Sequence, residues 1–286
     1  MKYTRRDVVL GLPALMAFGI AGCSAKNDAA ANDATTGAGQ SSKKASGAIQ
    51  ITAEQTLDGY AITSTTADEN AILVNTADEV TITNCTVDKT GDSDGGDNCN
   101  FYGQNAAVLV ESGSTTTLTN LTITSGANGA NGVFSYGGNG GHNGAAGDGT
   151  KVVIKDCIIA TTGDGSGGTM TTGGGVTNAS NVTVTTSGRS SAAIRTDRGG
   201  GTVYVDGGSY TSNGLGSPAI YSTAEIHVAN ATLVSNLSEG VCIEGLNSIE
   251  LTDCDLTANN TKCNGNATFL DTIMMYQSMS GDAASG

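Results

Sequence analysis

The stretch VTITNCTV, residues 80–87, decides the fold of this chain. Val80 and Ile82 alternate with polar residues, Asn84 interrupts the alternation, and Cys85 and Val87 resume it. Alternation with period two is typical of a β-strand with one buried face. Asparagine tolerates the left-handed backbone conformation of a tight corner better than most residues do. The stretch therefore predicts two short inward-facing strands joined by a corner at Asn84.

The same pattern recurs along the chain as TTLTNLTI from Thr116, VVIKDCII from Val152, EIHVANATL from Glu225 and SIELTDCDL from Ser248. Degenerate copies begin at Asn181 and Thr202. The matched apolar positions lie 36, 36, 30, 21, 23 and 23 residues apart, which is the spacing of a coiled solenoid. They are Ile82, Leu118, Ile154, Val184, Val205, Val228 and Leu251.

A second apolar stretch precedes each copy, so that each coil is predicted to contain three short strands and three turns. These stretches begin at Ala71, Ala106, Gly174, Ala192, Pro218 and Gly240. A single coil cannot bury its inward face, and stacking of neighbouring coils has to supply the stability. The prediction for residues 48–286 is an all-β solenoid of about seven to eight coils.

From about Ile49 to Met279 the chain resembles the right-handed parallel β-helix superfold, which pectate-lyase-like enzymes and adhesin-like bacterial surface proteins share. The resemblance implies the fold, whereas activity depends on individual sites. The composition agrees, with 42 glycines, 2 prolines, no tryptophan and only 14% charged residues.

Residues 1–22 are identified as a bacterial lipoprotein signal peptide, with a basic start, an apolar stretch and the sequence Ile20-Ala21-Gly22-Cys23 at the end. The resemblance implies that Cys23 carries a diglyceride. Thr4-Arg5-Arg6-Asp7 also resembles a twin-arginine export motif. The alternative is a transmembrane anchor, but the apolar stretch is shorter than the roughly 20 residues that a span needs. The expected location is the outer face of a bacterial membrane.

Residues 23–47 are predicted to form a flexible linker, because they are polar and aperiodic. The whole chain has 13 Lys and Arg against 27 Asp and Glu, a formal net charge of −14. Such a chain repels phosphates, and no nucleic-acid partner is expected. The expected partners are the membrane, through the lipid, and a glycan or another ligand on a host or neighbouring surface.

The cysteines beyond Cys23 fall into two groups. Cys85, Cys157 and Cys254 are predicted to be small inward-facing residues, and Cys85 and Cys157 lie two coils apart, too far for a disulfide. Cys99, Cys242 and Cys263 lie in or near loops, and the sequence allows them to be paired or free.

Long loops are predicted at residues 88–105, 124–143 and 160–172, all between the third strand of one coil and the first of the next. Asp92 and Asp164 share a register, with Asn128 between them. Carboxylates are the ligands that Ca²⁺ prefers, and calcium is therefore the candidate cofactor. The alternative is a solvated acidic turn. The candidate ligands are Asp88, Asp92, Asp94, Asp97 and Asp164.

Arg189, Arg195 and Arg198 lie within ten residues and form a second candidate site. Arg195 is predicted to share an outward column with Thr177, Tyr221 and Glu244. A guanidinium binds carboxylate in two places, which suits an acidic sugar or a peptide carboxylate. The alternative is a set of surface salt bridges.

Tyr204, His227 and Glu250 are predicted to lie on successive coils at one outward position of the second strand. A His–Glu contact suits a general base, and it is also a common structural pair. His142 is assigned no role.

Three functions fit these features. The first is a non-catalytic, lipid-anchored, adhesin-like surface protein that binds carbohydrate or another ligand. The second is a polysaccharide lyase or glycoside hydrolase, although the chain lacks the ordered carboxylate motifs of those enzymes. The third is a structural spacer. The carboxyl end begins another coil without a polar cap, and its predicted core residues are Phe269, Leu270, Ile273 and Met274. Solenoids need capped ends, which predicts that the chain is a fragment. The alternative is that a partner or the chain's own tail covers the last coil.

Overall fold

The computed structural model describes residues 44–93, 96–139, 146–261 and 270–277. They form β-strands, apart from one short helix and the turns. The first half of the chain contains β1 (Gly47–Ile51), β2 (Gln55–Asp58), β3 (Ala61–Ser64), β4 (Asn70–Asn75), β5 (Glu79–Thr83), β6 (Thr86–Lys89), α1 (Asp97–Asn100), β7 (Val108–Glu111), β8 (Thr115–Thr119), β9 (Thr122–Ser125), β10 (Val133–Tyr136), β11 (Lys151–Lys155) and β12 (Ile158–Thr161). The second half contains β13 (Thr169–Thr172), β14 (Gly175–Thr186), β15 (Ile194–Thr196), β16 (Gly201–Ser212), β17 (Ile220–Ser222), β18 (Glu225–Ala229), β19 (Thr232–Ser235), β20 (Val241–Glu244), β21 (Ser248–Thr252), β22 (Asp255–Ala258) and β23 (Ile273–Tyr276).

All strand pairs are parallel and join successive coils, so the predicted parallel β-helix is confirmed. Sheet one contains β1, β4, β7, β10, β13, β15, β17, β20 and β23. The other strands form one continuous sheet that bends at a corner. We call its two sides sheet two, which starts with β2, and sheet three, which starts with β3. The long strands β14 and β16 run through both sides. Eight coils have strands in all three sheets, and β23 begins a ninth.

The corner between sheets two and three adopts the left-handed conformation expected from its Asn and Asp residues. Six of these residues have φ between 52° and 56°: Asn84, Asn120, Asp156, Asn181, Asn230 and Asp253. Their side chains also join successive coils, since the Nδ2 of Asn120 donates to Oδ1 of Asn84 at 2.7 Å, and that of Asn84 donates to Oδ1 of Asp58 at 2.7 Å. The corner residue therefore sets the bend and stabilises the stack.

The interior of the coils is a continuous apolar core built from columns of residues in parallel register. One column of sheet three runs through Ile62, Val87, Ile123, Ile159, Val184, Tyr210 and Leu233, and all its members are buried. Tyr210 is the aromatic member of this aliphatic column. Each coil thus depends on its neighbours for burial, as the repeat predicts.

Two stretches of the chain belong to a different sheet from the one predicted from the sequence. Ile154 pairs with Ala179 and not with Val184, which belongs to sheet three. The stretch from Gly174 is the start of β14 in sheet two, and Thr169–Thr172 is the strand of sheet one in that coil. The cause is the uninterrupted β14, which removes the turn that elsewhere separates the two strands. The same break in register moves Thr177 out of the Arg195 column. Thr177 is buried in sheet two, within hydrogen-bond distance of Thr171.

The predicted loop 124–143 is also wrong, because β10 occupies its middle and pairs with β7 and β13. The predicted loop 160–172 shrinks to the few residues between β12 and β13. The loop after β6 is long, and it folds over the outer face of sheet one. Gly103, with φ 74°, allows this close approach: a Cβ there would lie 2.5 Å from Cδ1 of Leu109. Leu73, Leu109, Phe134 and Met170 form a second apolar cluster beneath the loop.

Four of the five described cysteines beyond the leader are buried. Cys85 and Cys157 lie inside the coil as predicted, and Cys254 is partly buried against the core. The thiol of Cys242 is free, and Sγ of Cys99 donates to the carbonyl oxygen of Gly96 at 3.3 Å. Cys23, the predicted leader, most of the predicted linker and Cys263 lie outside the described residues. Among the residues that the structure describes, no helix has the length and apolar character to cross a membrane.

Among the residues that the structure describes, the last coils expose apolar side chains on their carboxyl-terminal side. Val241 is buried, whereas Ile273, its register partner in the next coil, is 56% exposed. The side chain of Leu270 is about half exposed, and that of Met275 is mostly exposed. Leu270 and Ile273 are predicted core residues that the described chain leaves uncovered. Phe269, predicted to accompany them, lies outside the described residues.

Candidate functional site

Arg195 lies on the outer face of sheet one, stacked between Met170 of β13 and Tyr221 of β17. It is only 4% exposed. Its Nη2 forms an ion pair with Oδ2 of Asp197, and its guanidinium carbon lies 5.5 Å from the centroid of the Tyr221 ring. Arg195 is therefore buried and ion-paired with Asp197. The salt bridge predicted for the surface lies inside the protein.

Tyr221, Glu244 and Tyr276 form a hydrogen-bonded triangle beside Arg195. The Tyr221 hydroxyl donates to Oε2 of Glu244 at 2.6 Å, and the Tyr276 hydroxyl donates to the same oxygen at 3.1 Å. Burial raises the pKa of both tyrosines, so that both hydroxyls stay protonated as donors. The structure thus brings together three of the predicted residues, Arg195, Tyr221 and Glu244. The predicted column is wrong at Glu244, because Cys242 is the register partner of Tyr221 and Glu244 pairs with Tyr276.

The cavity next to this cluster is small. Its volume is about 20 Å³, and Arg195, Tyr221, Glu239 and Cys242 are among the residues that line it. A cavity of this size holds about one water molecule. The Arg195 cluster as described is too closed to receive a sugar ring or a peptide carboxylate.

Arg198 donates its backbone N–H to Oδ1 of Asp197 at 2.9 Å, but its side chain contacts the loop after β6. The Arg198 guanidinium lies 4.0 Å from the centroid of the Phe101 ring, and its Nη1 is 3.2 Å from Oδ2 of Asp97. These contacts attach the loop after β6 to sheet one, together with a hydrogen bond from the Thr172 hydroxyl to the Phe101 carbonyl oxygen. Arg189 donates its backbone N–H to Asp164. Arg198 and Arg189 thus contribute to loop attachment and coil stacking.

The predicted register of Asp92, Asn128 and Asp164 is confirmed, and these side chains accept backbone hydrogen bonds. Oδ1 of Asp92 accepts from the N–H of Asn128 at 2.8 Å, and Oδ1 of Asn128 accepts from the N–H of Asp164 at 2.9 Å. Asp164 accepts in turn from the N–H of Arg189 at 2.8 Å. The column is a ladder that joins successive coils.

The remaining candidate calcium ligands are dispersed. Asp88 accepts a hydrogen bond from the Thr124 hydroxyl at 2.7 Å, Asp97 pairs with Arg198, and Asp94 lies outside the described residues. Within the described part of the chain, no group of three or more His, Cys, Asp or Glu side chains could hold a metal ion. The described carboxylates thus give calcium no common site.

His227 is the centre of an exposed polar ladder on the outer face of sheet two. Its predicted neighbours are confirmed, with Tyr204 on one adjacent coil and Glu250 on the other. The Tyr204 and His227 rings stack with centroids 5.0 Å apart. Nδ1 of His227 lies 2.8 Å from Oε2 of Glu250, and Nε2 lies 2.7 Å from Oε1 of Glu225.

Both imidazole nitrogens of His227 therefore face carboxylate oxygens, an arrangement that favours the doubly protonated ring. The hydrogen bond to Glu225, followed by that to Glu250, raises the pKa of His227 above its ordinary value. The sequence analysis missed Glu225. The signal was present, since residues two apart on a strand face the same side.

A groove of about 520 Å³ runs along this face. Its lining includes Lys155, Asn178, Asp206 and Thr252 in addition to the Tyr204–His227–Glu250 ladder. Tyr204 is 48% exposed. The groove spans five coils, because Lys155 belongs to β11 and Thr252 to β21. It is open to solvent, it combines mainly apolar lining surface with a few polar side chains, and it lies on a continuous sheet. These are properties of a surface that can bind an extended ligand.

The outward column of sheet two changes character along its length. Its first coils carry Thr56, Thr81 and Thr117 at this position, and its last coils carry Asn178, Tyr204, His227 and Glu250. Threonine suits an exposed strand well. The larger hydrogen-bonding groups are concentrated in the half that forms the groove.

The chain matches no known protein family, no curated protein and no solved structure.

Proposed function

We propose that this protein is a non-catalytic, lipid-anchored protein of the bacterial cell surface that binds carbohydrate along the outer face of sheet two. The observation that carries the proposal is the open groove with its Tyr204–His227–Glu250 ladder. The lipoprotein signal and linker predicted from the sequence support the surface location.

The dimensions of the groove suit a linear polymer. Five coils are four steps of about 4.8 Å, so the lining side chains repeat along about 19 Å. A polysaccharide presents hydroxyl groups at regular intervals. The carboxylates of Glu250 and Asp206, the amide of Asn178 and the ammonium of Lys155 offer acceptors and donors to such groups.

The exposed tyrosine adds an apolar contact with a polar end. Tyrosine is common in binding surfaces for this reason, since its ring buries area while its hydroxyl forms hydrogen bonds. Stacking on His227 holds the Tyr204 ring in place before a ligand arrives. Such preorganisation reduces the conformational entropy lost on binding.

The test is a glycan-array screen of the purified chain from Ser24 onward, with and without Ca²⁺, followed by titration of each glycan that binds. We expect Tyr204→Ala to weaken binding at least tenfold. Tyr60→Ala is the matched control, because Tyr60 is also exposed but lies outside the groove. Its affinity should equal that of the wild type.

Each other outcome contradicts the proposal in a different way. New reducing ends or unsaturated products from a bound glycan would favour the lyase or hydrolase alternative. Binding that survives Tyr204→Ala would place the ligand elsewhere. The absence of binding to any glycan would favour a structural spacer. A calcium requirement for binding would favour a ligand site at the acidic loops instead of the groove.

A further inference from the structure

Lys89 is a buried amine at a position where neighbouring coils carry hydroxyl groups. It is the last residue of β6, is 0% exposed, and pairs in register with Ser64 and Ser125. In later coils the hydroxyls of Thr161 and Thr186 each donate to a carbonyl oxygen of the loop that follows. Lys89 does the same with its Nζ, which donates to the carbonyl oxygens of Thr66, at 2.9 Å, and Gly91.

Asn105 brings a carboxamide to the same place. It is 0% exposed, and its Nδ2 donates to the carbonyl oxygen of Gly91 at 2.9 Å and to that of Asn128 at 3.3 Å. Lys89 Nζ and Asn105 Nδ2 thus converge on one oxygen atom. The Oδ1 of Asn105 is buried and has no hydrogen-bond partner. An unsatisfied buried oxygen is uncommon and destabilising, and it calls for an explanation.

The surroundings favour a reactive amine. Burial lowers the pKa of Lys89, and the carboxylates of Glu69, Asp92 and Asp68 oppose this effect, in decreasing order. A neutral amine is a nucleophile, whereas an ammonium ion is not. Glu69, whose Oε2 accepts a hydrogen bond from the Ser64 hydroxyl at 2.9 Å, is the acidic group with the strongest electrostatic influence on Lys89.

We propose that Lys89 and Asn105 form an intramolecular amide bond that crosslinks the end of β6 to the last part of the loop before β7. Lys89 Nζ attacks Cγ of Asn105, and the bond between Cγ and Nδ2 breaks. The Nδ2 group leaves as ammonia with one proton from Nζ. The products are a secondary amide and ammonia, and the step needs no oxidant or other reactant.

The crosslink would close the long loop after β6 at its base. This loop covers the outer face of sheet one through Gly103 and Phe101. The amide bond would keep the ends of this loop joined even if β6 and β7 lost their hydrogen bonds to neighbouring strands. This property suits a protein exposed on a cell surface.

Intact mass spectrometry of the purified chain from Ser24 onward, which lacks the predicted lipid on Cys23, tests the proposal directly. We expect a mass lower than the sequence mass by one molecule of ammonia. Trypsin supplies the second measurement, because Lys89 is the sole Lys or Arg between Lys44 and Lys151. In the denatured crosslinked chain, trypsin cannot cleave after Lys89, and residues 45–151 should remain one peptide.

Variants make the assignment specific. Lys89→Met and Asn105→Ala should each show the full sequence mass, and Asn105→Asp should lose water in place of ammonia. Lys155→Met, which removes an exposed lysine, should keep the loss of ammonia. A wild-type chain with the full sequence mass would overturn the proposal without any variant having to fold. Loss of ammonia with normal cleavage after Lys89 would also overturn it, since that result indicates a succinimide elsewhere.

Discussion

Replacement of Tyr210 by phenylalanine should stabilise the protein. Tyr210 is 0% exposed within an aliphatic column of sheet three, and its hydroxyl has no hydrogen-bond partner. A buried hydroxyl without a partner costs about 1–3 kcal/mol of desolvation free energy. Phenylalanine keeps the ring and its packing while it removes that cost. We therefore expect the free energy of unfolding to rise by about 1–3 kcal/mol.

Urea or guanidinium unfolding followed by circular dichroism measures this change, which should appear as a higher midpoint with an unchanged slope. The melting temperature should rise by about 2–4 °C per kcal/mol. Tyr204→Phe is the matched control on the same strand, and its exposed hydroxyl predicts a change within about 0.5 kcal/mol. A Tyr210→Phe variant that is less stable than the wild type would refute the reasoning, because it would show that the hydroxyl is satisfied.

Three further predictions follow from charged and corner residues. An NMR titration should place the pKa of His227 above about 6.5, and Glu225→Gln should lower it, since that carboxylate is the largest cause of the shift. The stabilisation from this contact should be complete at pH values below about 6.5 and be lost as the pH rises through the raised pKa. Asn120→Ala should lower the free energy of unfolding by about 2–3 kcal/mol, from left-handed strain and a lost hydrogen bond, whereas Asn120→Gly should cost less. Arg195→Ala should cost about 3–5 kcal/mol in the same measurement, because Asp197 stays buried without its ion-pair partner.

The fold could be predicted from the sequence because each coil repeats the same physical requirement. An inward apolar pair, a corner residue that tolerates positive φ and a second inward pair leave a visible pattern. Asn84 and Asn120 were identified in this way, and both have the expected conformation. The same alternation predicts the inward columns of sheets two and three in the coils whose corners are Asn84, Asn120, Asp156, Asn230 and Asp253.

The failures occurred where a coil departs from that pattern. At Ala179 the inward residue is small, and the strand continues through the corner at Asn181. The apolar pattern therefore shows no gap between the two strands of that coil, and Val184 aligns with the wrong sheet. The contact between Arg195 and Tyr221 is predicted by the spacing and confirmed, but the burial of Arg195 is not predicted. An outward position on a strand does not show whether other side chains will cover it. The groove emerged only when the outward residues of five coils were aligned by the observed register.

Residues that differ from those at the equivalent position of other coils indicate where function adds a requirement to the fold. Stacking requires only that inward residues be apolar and outward residues suit a strand, which threonine satisfies in the first coils of sheet two. Nothing in the folding requirement selects Tyr204, His227 and Glu250 for the same outward position in later coils. Lys89 is a similar departure, since in later coils the threonine hydroxyls of Thr161 and Thr186 satisfy the equivalent carbonyl. A longer amine carries a desolvation cost that a hydroxyl avoids. Both departures therefore call for a reason beyond stability of the coil, and binding at the groove and covalent closure of the loop are the reasons that their chemistry supports.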